Sequence, residues 1–318
     1  MLTKKYDVLV VGELNVDIIL NHIDGFPEVG KEKLARSMVT TLGSSSAIFA
    51  SNLSSLGTNV AFLGKIGTDP YGDLVLNSLR ERGVVTDFVF RTHEADTGAT
   101  VVLNYDEDRA MVTYPGAMEL LTIADITDEV LLQAQHLHFS SYFLQPGIRP
   151  AVGALFRRAN ALGLTTSLDP QWDPEEQWTF EAADVLPYVD VFLPNEKELR
   201  YLTGQPALED ALAALPEGTR CVAVKRGNQG SSVWNNHQLH HHPPFLNPKV
   251  VDAIGAGDSF NAGFIRQFVR GCSLEECQTF GNLTGALSTT QSGGTAAFQD
   301  TDQLIRLAQS TFNYSLTL

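Results

Sequence analysis

"VVDAIGAGDSFNAGFI" (250–265) places three small residues, Gly255, Ala256 and Gly257, and one carboxylate, Asp258, directly ahead of an apolar helical repeat. Phe260, Phe264, Ile265, Phe268 and Val269 follow at the spacing of a single helix face. The small residues therefore fall at a helix N-terminus, where unpaired N–H groups and the macrodipole favour negative charge. Without side chains in the way, an anion can approach that backbone closely. Asp258 could merely cap the helix, or it could take a proton from a hydroxyl that receives a phosphoryl group. The rest of the chain decides between the two.

Working outward, short β-branched runs at 7–12, 137–143, 164–170, 189–195 and 220–227 alternate with helical patterns such as 150–162 and 196–203. Strands that are apolar along their length and separated by helices indicate an α/β domain, its mostly parallel central sheet covered on both faces. Ligands of such sheets bind beyond the carboxyl ends of the strands. Asn15, Asp17, Asp169, Asn195 and Lys225 all occupy such ends. Two stretches, about 15–41 and 88–114, break the alternation and read as strands of a small second sheet lying over the first as a lid. No repeat or linker divides the chain, so 1–318 is expected to form one domain.

Bulk properties remove several classes of function. The chain has 318 residues, 43% hydrophobic and 19% charged, as an ordinary globular protein does. A formal net charge of −15 disfavours a nucleic-acid partner. No apolar run reaches the roughly 18 residues of a membrane span, so no membrane association is expected. The run after Lys4 and Lys5 is too short for a signal peptide, and Cys221, Cys272 and Cys277 show no zinc spacing, which points to a reduced, cytoplasmic protein. "GTNVAFLGKI" (57–66) has too many residues between its glycines for a P-loop, with Ile66 where the hydroxyl belongs. "VGELNVD" (11–17) has one glycine where a dinucleotide fingerprint needs three. The histidines of "HQLHHH" (237–242) would alternate across a strand and not converge, so no metal is assigned to them.

"DAIGAGDSFNAGF" (252–264) resembles the C-terminal signature of the PfkB, or ribokinase-like, family of carbohydrate kinases, with Ala253 in place of threonine. "VVGELNVDIIL" (10–20), "LGSSSAIFASNLSSLG" (42–57) with "GKIGTDPYGD" (64–73), "LPNEKEL" (193–199) and "VKRGNQGSSVW" (224–234) extend the resemblance over nearly the whole chain. It implies a ribokinase-like three-layer sandwich with a small β-sheet lid. It also implies ATP-dependent transfer of a phosphoryl group to a primary hydroxyl of a small sugar. By the same resemblance Asp258 is the general base, and Gly255, Ala256 and Gly257 form the anion hole. Asn15, Asp17, Gly43, Ser44 and Ser45 face the sugar. Asn195 and Glu198 order the water around Mg2+. Lys225, Gly227, Gly230 and Asn282 belong to the ATP site. Asp252, with backbone near Ile254 and Gly293, is placed at a monovalent-cation (K+) site.

Departures from the family pattern bear on the acceptor. "GSSSAI" (43–48) carries Ser44 for the second glycine and Ile48 for an asparagine. In "SLDPQWDPEEQW" (167–178), Gln171 and Asp173 replace the Asn and Arg of fructokinase and ketodeoxygluconate kinase relatives. Loss of that arginine favours a neutral sugar or a nucleoside over an anionic acceptor. A nucleoside kinase would need apolar cover for a base, for which Phe26 and Phe49 are candidates, and a catalytically inactive binding regulator is a third reading. Asn195 and Glu198 also have capping-box spacing and could serve only to start a helix. The exposed edge of a lid predicts a homodimer formed through it.

Overall fold

In the computed structural model, which describes residues 4–105 and 108–318, the strands are β1 (Tyr6–Val11), β2 (Asn15–Asn21), β3 (Ser37–Leu42), β4 (Val60–Gly67), β5 (Val85–Thr92), β6 (Gly98–Tyr105), β7 (Asp108–Tyr114), β8 (Ala134–Ser140), β9 (Thr165–Asp169), β10 (Val191–Phe192), β11 (Cys221–Lys225), β12 (Ser231–Asn235) and β13 (Gln238–His242). Nine of them form one sheet in the order β13-β12-β11-β10-β9-β8-β1-β4-β5. It is parallel from β11 to β5, and the β12–β13 hairpin closes one edge antiparallel. The apolar run of β1 has a simple cause. Val8 and Val10 enter the core on one face while Leu9 and Val11 enter the core on the other, and all four are fully buried.

The helices are α1 (Ser45–Ser55), α2 (Pro70–Glu81), α3 (Asp128–Leu131), α4 (Val152–Ala161), α5 (Ala182–Val185), α6 (Glu196–Thr203), α7 (Leu208–Ala213), α8 (Ala256–Val269), α9 (Leu274–Ser288) and α10 (Thr301–Phe312). Together they make the ribokinase-like three-layer α/β fold expected from the sequence. Residues of α1, α8, α9 and α10 share the core with Val8 and Val10, and residues of α4, α6 and α7 share the core with Leu9 and Val11. Strand order reverses between β1 and β8. The loops leaving β1, β8, β9 and β11 therefore open on one crevice at the carboxyl ends.

The lid is a four-stranded sheet in the order β3-β2-β6-β7, with β2 and β6 parallel and the outer pairs antiparallel. The expected lid boundaries need one correction. The second lid stretch does not begin at 88, because β5 pairs in parallel with β4 at the edge of the main sheet. Lid structure begins at Gly98. Both β5 and β6 are short, partly buried strands, and local sequence does not say which distant strand each will pair with. Residues 106 and 107 of that stretch lie outside the described residues. Among the described residues no helix is long and apolar enough to cross a membrane.

Candidate active site

Two cavities meet at the start of α8. One, of about 610 Å³, lies between the lid and the main sheet, and the other, of about 890 Å³, lies between the 244–250 loop and α8 and α9. Lys225, Ala253, Ala256 and Gly257 line both, whereas Asp258 lines only the lid-side cavity. The junction is thus a stretch of helix N-terminus with a cation beneath it.

The local reason is backbone geometry. Gly255 is the N-cap of α8 at φ 72°, and no side chain caps the helix. A Cβ at Gly255 would lie 2.6 Å from the Gly294 Cα, so glycine is required both by conformation and by room. Asp258 sits in the first turn and does not cap it. Its Oδ1 instead accepts from Gln171 Nε2 at 3.0 Å. Asp258 is therefore not the cap of α8.

Asp258 is 7% exposed, and its carboxyl is pushed up to about 8, first by burial and then by the Asp169 charge, with Lys225 pulling the other way. Asp169, at the end of β9, is wholly buried and anchors the site. Its Oδ2 accepts from Lys225 Nζ at 3.0 Å, from Gln171 Nε2 at 2.8 Å and from Asn261 Nδ2. Burial draws the Lys225 ammonium downward, but Asp169 and Glu198 outweigh it and the group is raised, so it stays charged. Gln171 bridges the two carboxylates, one hydrogen to each, from a residue held at φ 60°.

At the far end of the lid-side cavity, Asn15 Nδ2 donates to Thr100 Oγ1 at 2.9 Å and Asp17 Oδ1 at 3.2 Å. Asp17 is raised to about 6, chiefly by burial, against the Asn15 hydrogen bond and the Arg109 charge. Gly43 is glycine because a Cβ there would fall 2.3 Å from Asp17 Oδ1. Ser44 caps α1 at φ 66°, accepting from the Ala47 amide at 2.9 Å, and its hydroxyl lies 2.7 Å from the Glu13 carbonyl. Glu13, only 2% exposed, holds this loop: Oε1 accepts from the Ser46 amide at 3.1 Å, and Oε2 from the Ser46 hydroxyl. Burial raises its carboxyl.

Asn195 and Glu198 do form a capping box on α6, each 2.8 Å from the other's backbone amide, and both also line the lid-side cavity. Glu198 is raised to about 7 by burial, Lys225 opposing and Asp169 reinforcing. Gly227, Gly230 and Asn282 line the second cavity with Lys225. Asp252 accepts from the Ile254 amide and the Gly293 amide, both at 2.9 Å, so it clamps two loops together.

Most of the residues expected at the site from the sequence line one or both of these cavities, and the fold adds others. Glu13, Thr100, Arg109, Met111, Met118, Ser141 and Trp172 also line the lid-side cavity. Glu13 stood inside a quoted motif with no role, its burial being the signal that a sequence does not carry. Phe26 and Phe49 do not line it: Phe26 lies exposed with its ring tilted against Tyr105, and Phe49 is buried with its ring stacked on His138. The histidine run forms the edge strand β13, as its alternation requires, and no cluster of three or more metal-ligating side chains occurs among the described residues.

Known proteins align with this architecture over almost its full length. A model described as the pfkB family of carbohydrate kinases matches residues 5–301. An ATP-dependent ribose-1-phosphate kinase of Halopiger xanaduensis is 31% identical over 295 residues, covering 91% of this chain and 94% of its own. Fructokinase-1 of Oryza sativa is 28% identical over 324 residues, covering 95% and 98%. The structure of Arabidopsis thaliana ribokinase complexed with ribose and ATP superposes with a TM-score of 0.83 at 26% identity, covering 95% of this chain and 98% of that one.

Proposed function

The chain belongs to the pfkB family of carbohydrate kinases, and on that premise we propose that it moves the γ-phosphoryl group of ATP to a primary hydroxyl of a small neutral sugar. The observation that carries this reading is the meeting of the two cavities at Lys225, Ala256 and Gly257, with Asp258 on the acceptor side alone. ATP laid along the second cavity brings its γ-phosphorus to that junction. A sugar hydroxyl beside Asp258 attacks in line: its O–P bond forms while the bond from γ-phosphorus to the bridging oxygen breaks. ADP leaves with that oxygen and the hydroxyl proton passes to Asp258. Amides at the start of α8 and the Lys225 ammonium oppose the charge on the transferred group, and lid closure excludes water.

Magnesium would neutralise phosphate charge, with Asn195 and Glu198 holding its waters. Glu198 suits that role: one carboxylate oxygen is taken by the Asn195 amide, and the other has no protein donor among the described residues. A monovalent cation such as K+ is proposed at the loops that Asp252 draws together. The three cysteines are free, which suits a reducing compartment such as the cytoplasm.

A neutral acceptor is supported by charge. The one arginine among the residues that line the lid-side cavity, Arg109, already attracts Asp17 and is not left free for an anionic acceptor. The relative from Halopiger makes ribose 1-phosphate the competing acceptor, and Arg109 is the group that would receive its phosphate. ADP release measured with ribose, fructose, ribose 1-phosphate, adenosine and inosine tests the reading, each in potassium and in a bulky organic cation. A neutral sugar should give the highest kcat/KM, with potassium stimulating turnover. Preference for a nucleoside or for ribose 1-phosphate would overturn the neutral-sugar assignment. Sugar binding without turnover of any acceptor would favour an inactive regulator.

We further propose a homodimer through the lid. Cross-strand register aligns Ile18, Val101 and Val112 in one row and Met38, Leu20 and Leu103 in the next, all on the lid face away from Asp17 and Thr100. Met38 is 64% exposed and Val112 71%. A sheet face so apolar is covered at low cost by a second copy. Light scattering at micromolar concentration should give twice the chain mass, and Val112→Glu should give a monomer. A wild-type monomer would contradict the proposal.

A further inference from the structure

Strand alternation turns His240 and His242 of β13 toward α9, and His242 meets the wall of the nucleotide cavity there. Asn282, 7% exposed, forms part of that wall. Its side-chain NH2 group donates to the Pro243 carbonyl at 3.0 Å and to Nδ1 of His242 at 3.2 Å. The Pro243 oxygen can only accept, so it fixes which end of the amide faces it. An amide nitrogen can only donate, so the Asn282 contact calls for a bare Nδ1 on His242 and for the ring proton on Nε2. Nε2 is 2.8 Å from Thr279 Oγ1, whose own hydrogen goes to the Glu275 carbonyl at 2.8 Å. With the ring proton on Nε2, this series of bonds closes with each amide and hydroxyl hydrogen used. The other tautomer would point Nδ1–H at the Pro243 oxygen, 3.0 Å away, and leave the Asn282 amide facing a hydrogen.

Both amide hydrogens of Asn282 are spent, which leaves Oδ1. It accepts from no protein donor among the described residues, and it is not sealed from the cavity. Asn247 and Thr289 on the same wall are bonded to each other at 2.8 Å.

We propose that His242 is a positioning residue for nucleotide selection: with Thr279 behind it, it holds Asn282 so that a bare carbonyl oxygen meets the base. Such an acceptor welcomes an amino donor, as adenine carries at its 6-position, and opposes the 6-oxo group of hypoxanthine. The inference rests on ATP as the donor and goes beyond it to why the base is read.

The test compares ATP with ITP, which differ at that substituent and in the hydrogen that hypoxanthine carries on N1, in wild type, His242→Leu and His242→Asn. In the last, Asn Oδ1 stands where Nδ1 stood and restores the acceptor. Wild type should bind ATP more tightly than ITP. His242→Leu should raise KM and Kd for ATP by about 3–10-fold, the scale of one hydrogen bond, with kcat within about twofold and the ITP constants unmoved. His242→Asn should recover most of the loss. Equal affinity for ATP and ITP in wild type would overturn the proposal. So would a His242→Leu change that falls equally on both nucleotides or on kcat, which is what a general packing role would produce. Calorimetric binding keeps the two readings separable: failure of every acceptor would count against the kinase assignment, while the ATP and ITP affinities would still decide this one.

Discussion

Asp258→Asn should lower kcat by about 10²–10⁴-fold, the usual loss when a general base is removed, while ATP binds as before. Asn keeps the size of the side chain and can still meet Gln171, but it cannot take the hydroxyl proton. The nucleotide cavity does not include residue 258, so the affinity for ATP has no reason to move. The same substitution should change stability in a pH-dependent way. The folded carboxyl holds its proton up to about 8, against an ordinary value of 3.8. Between those two values the native state binds more protons than the unfolded chain, so this group's contribution falls as pH rises through the window. Asparagine has no such term. The variant should therefore gain on wild type as pH rises from about 4 to about 8, read as the difference in denaturation midpoint at each pH.

Asp169→Ala should be the most destabilising single change in the site, by about 3–5 kcal/mol, because it leaves the Lys225 ammonium without its buried partner. A fall in Tm on the order of 10 °C follows for a chain of this size. Asp169→Asn separates charge from packing. It keeps the shape but removes the charge that ranks after burial in raising Asp258. Its acid limb in kcat/KM should lie at lower pH than that of wild type. An Asp169→Ala protein as stable as wild type would show that Lys225 finds another counter-charge and that this network does not organise the site.

The parts of the site legible in the sequence are those whose geometry is local. Gly255 to Asp258 could be read because a helix start declares itself through the apolar repeat behind it, and the resemblance then gave the chemistry. Asn195 and Glu198 could be read because a capping box is a three-residue spacing. Glu13, Gln171 and Arg109 could not, since each matters through partners in other segments: Ser46, Asp258 and Asp17. The lid boundary failed for a related reason. Neither β5 nor β6 names its partner locally, and only long-range pairing sends one to the main sheet and the other to the lid. Asn282 had no local signal, and its orientation depends on a histidine forty residues away that strand alternation delivers. Asp169 was visible as a strand-end acid, yet its hold on Lys225 depends on two strands separated in the sheet by β10.

Asp258 is proposed here as the group that accepts the acceptor's proton in the transfer. The pH dependence of kcat/KM, followed from about pH 6 to about pH 9.5 for wild type and Asp258→Asn, tests this most directly. Wild type should rise about tenfold per unit on the acid side and level off near pH 8, and the residual activity of Asp258→Asn should lack that limb. A limb of the same position and steepness in both proteins would mean that some other group takes the proton.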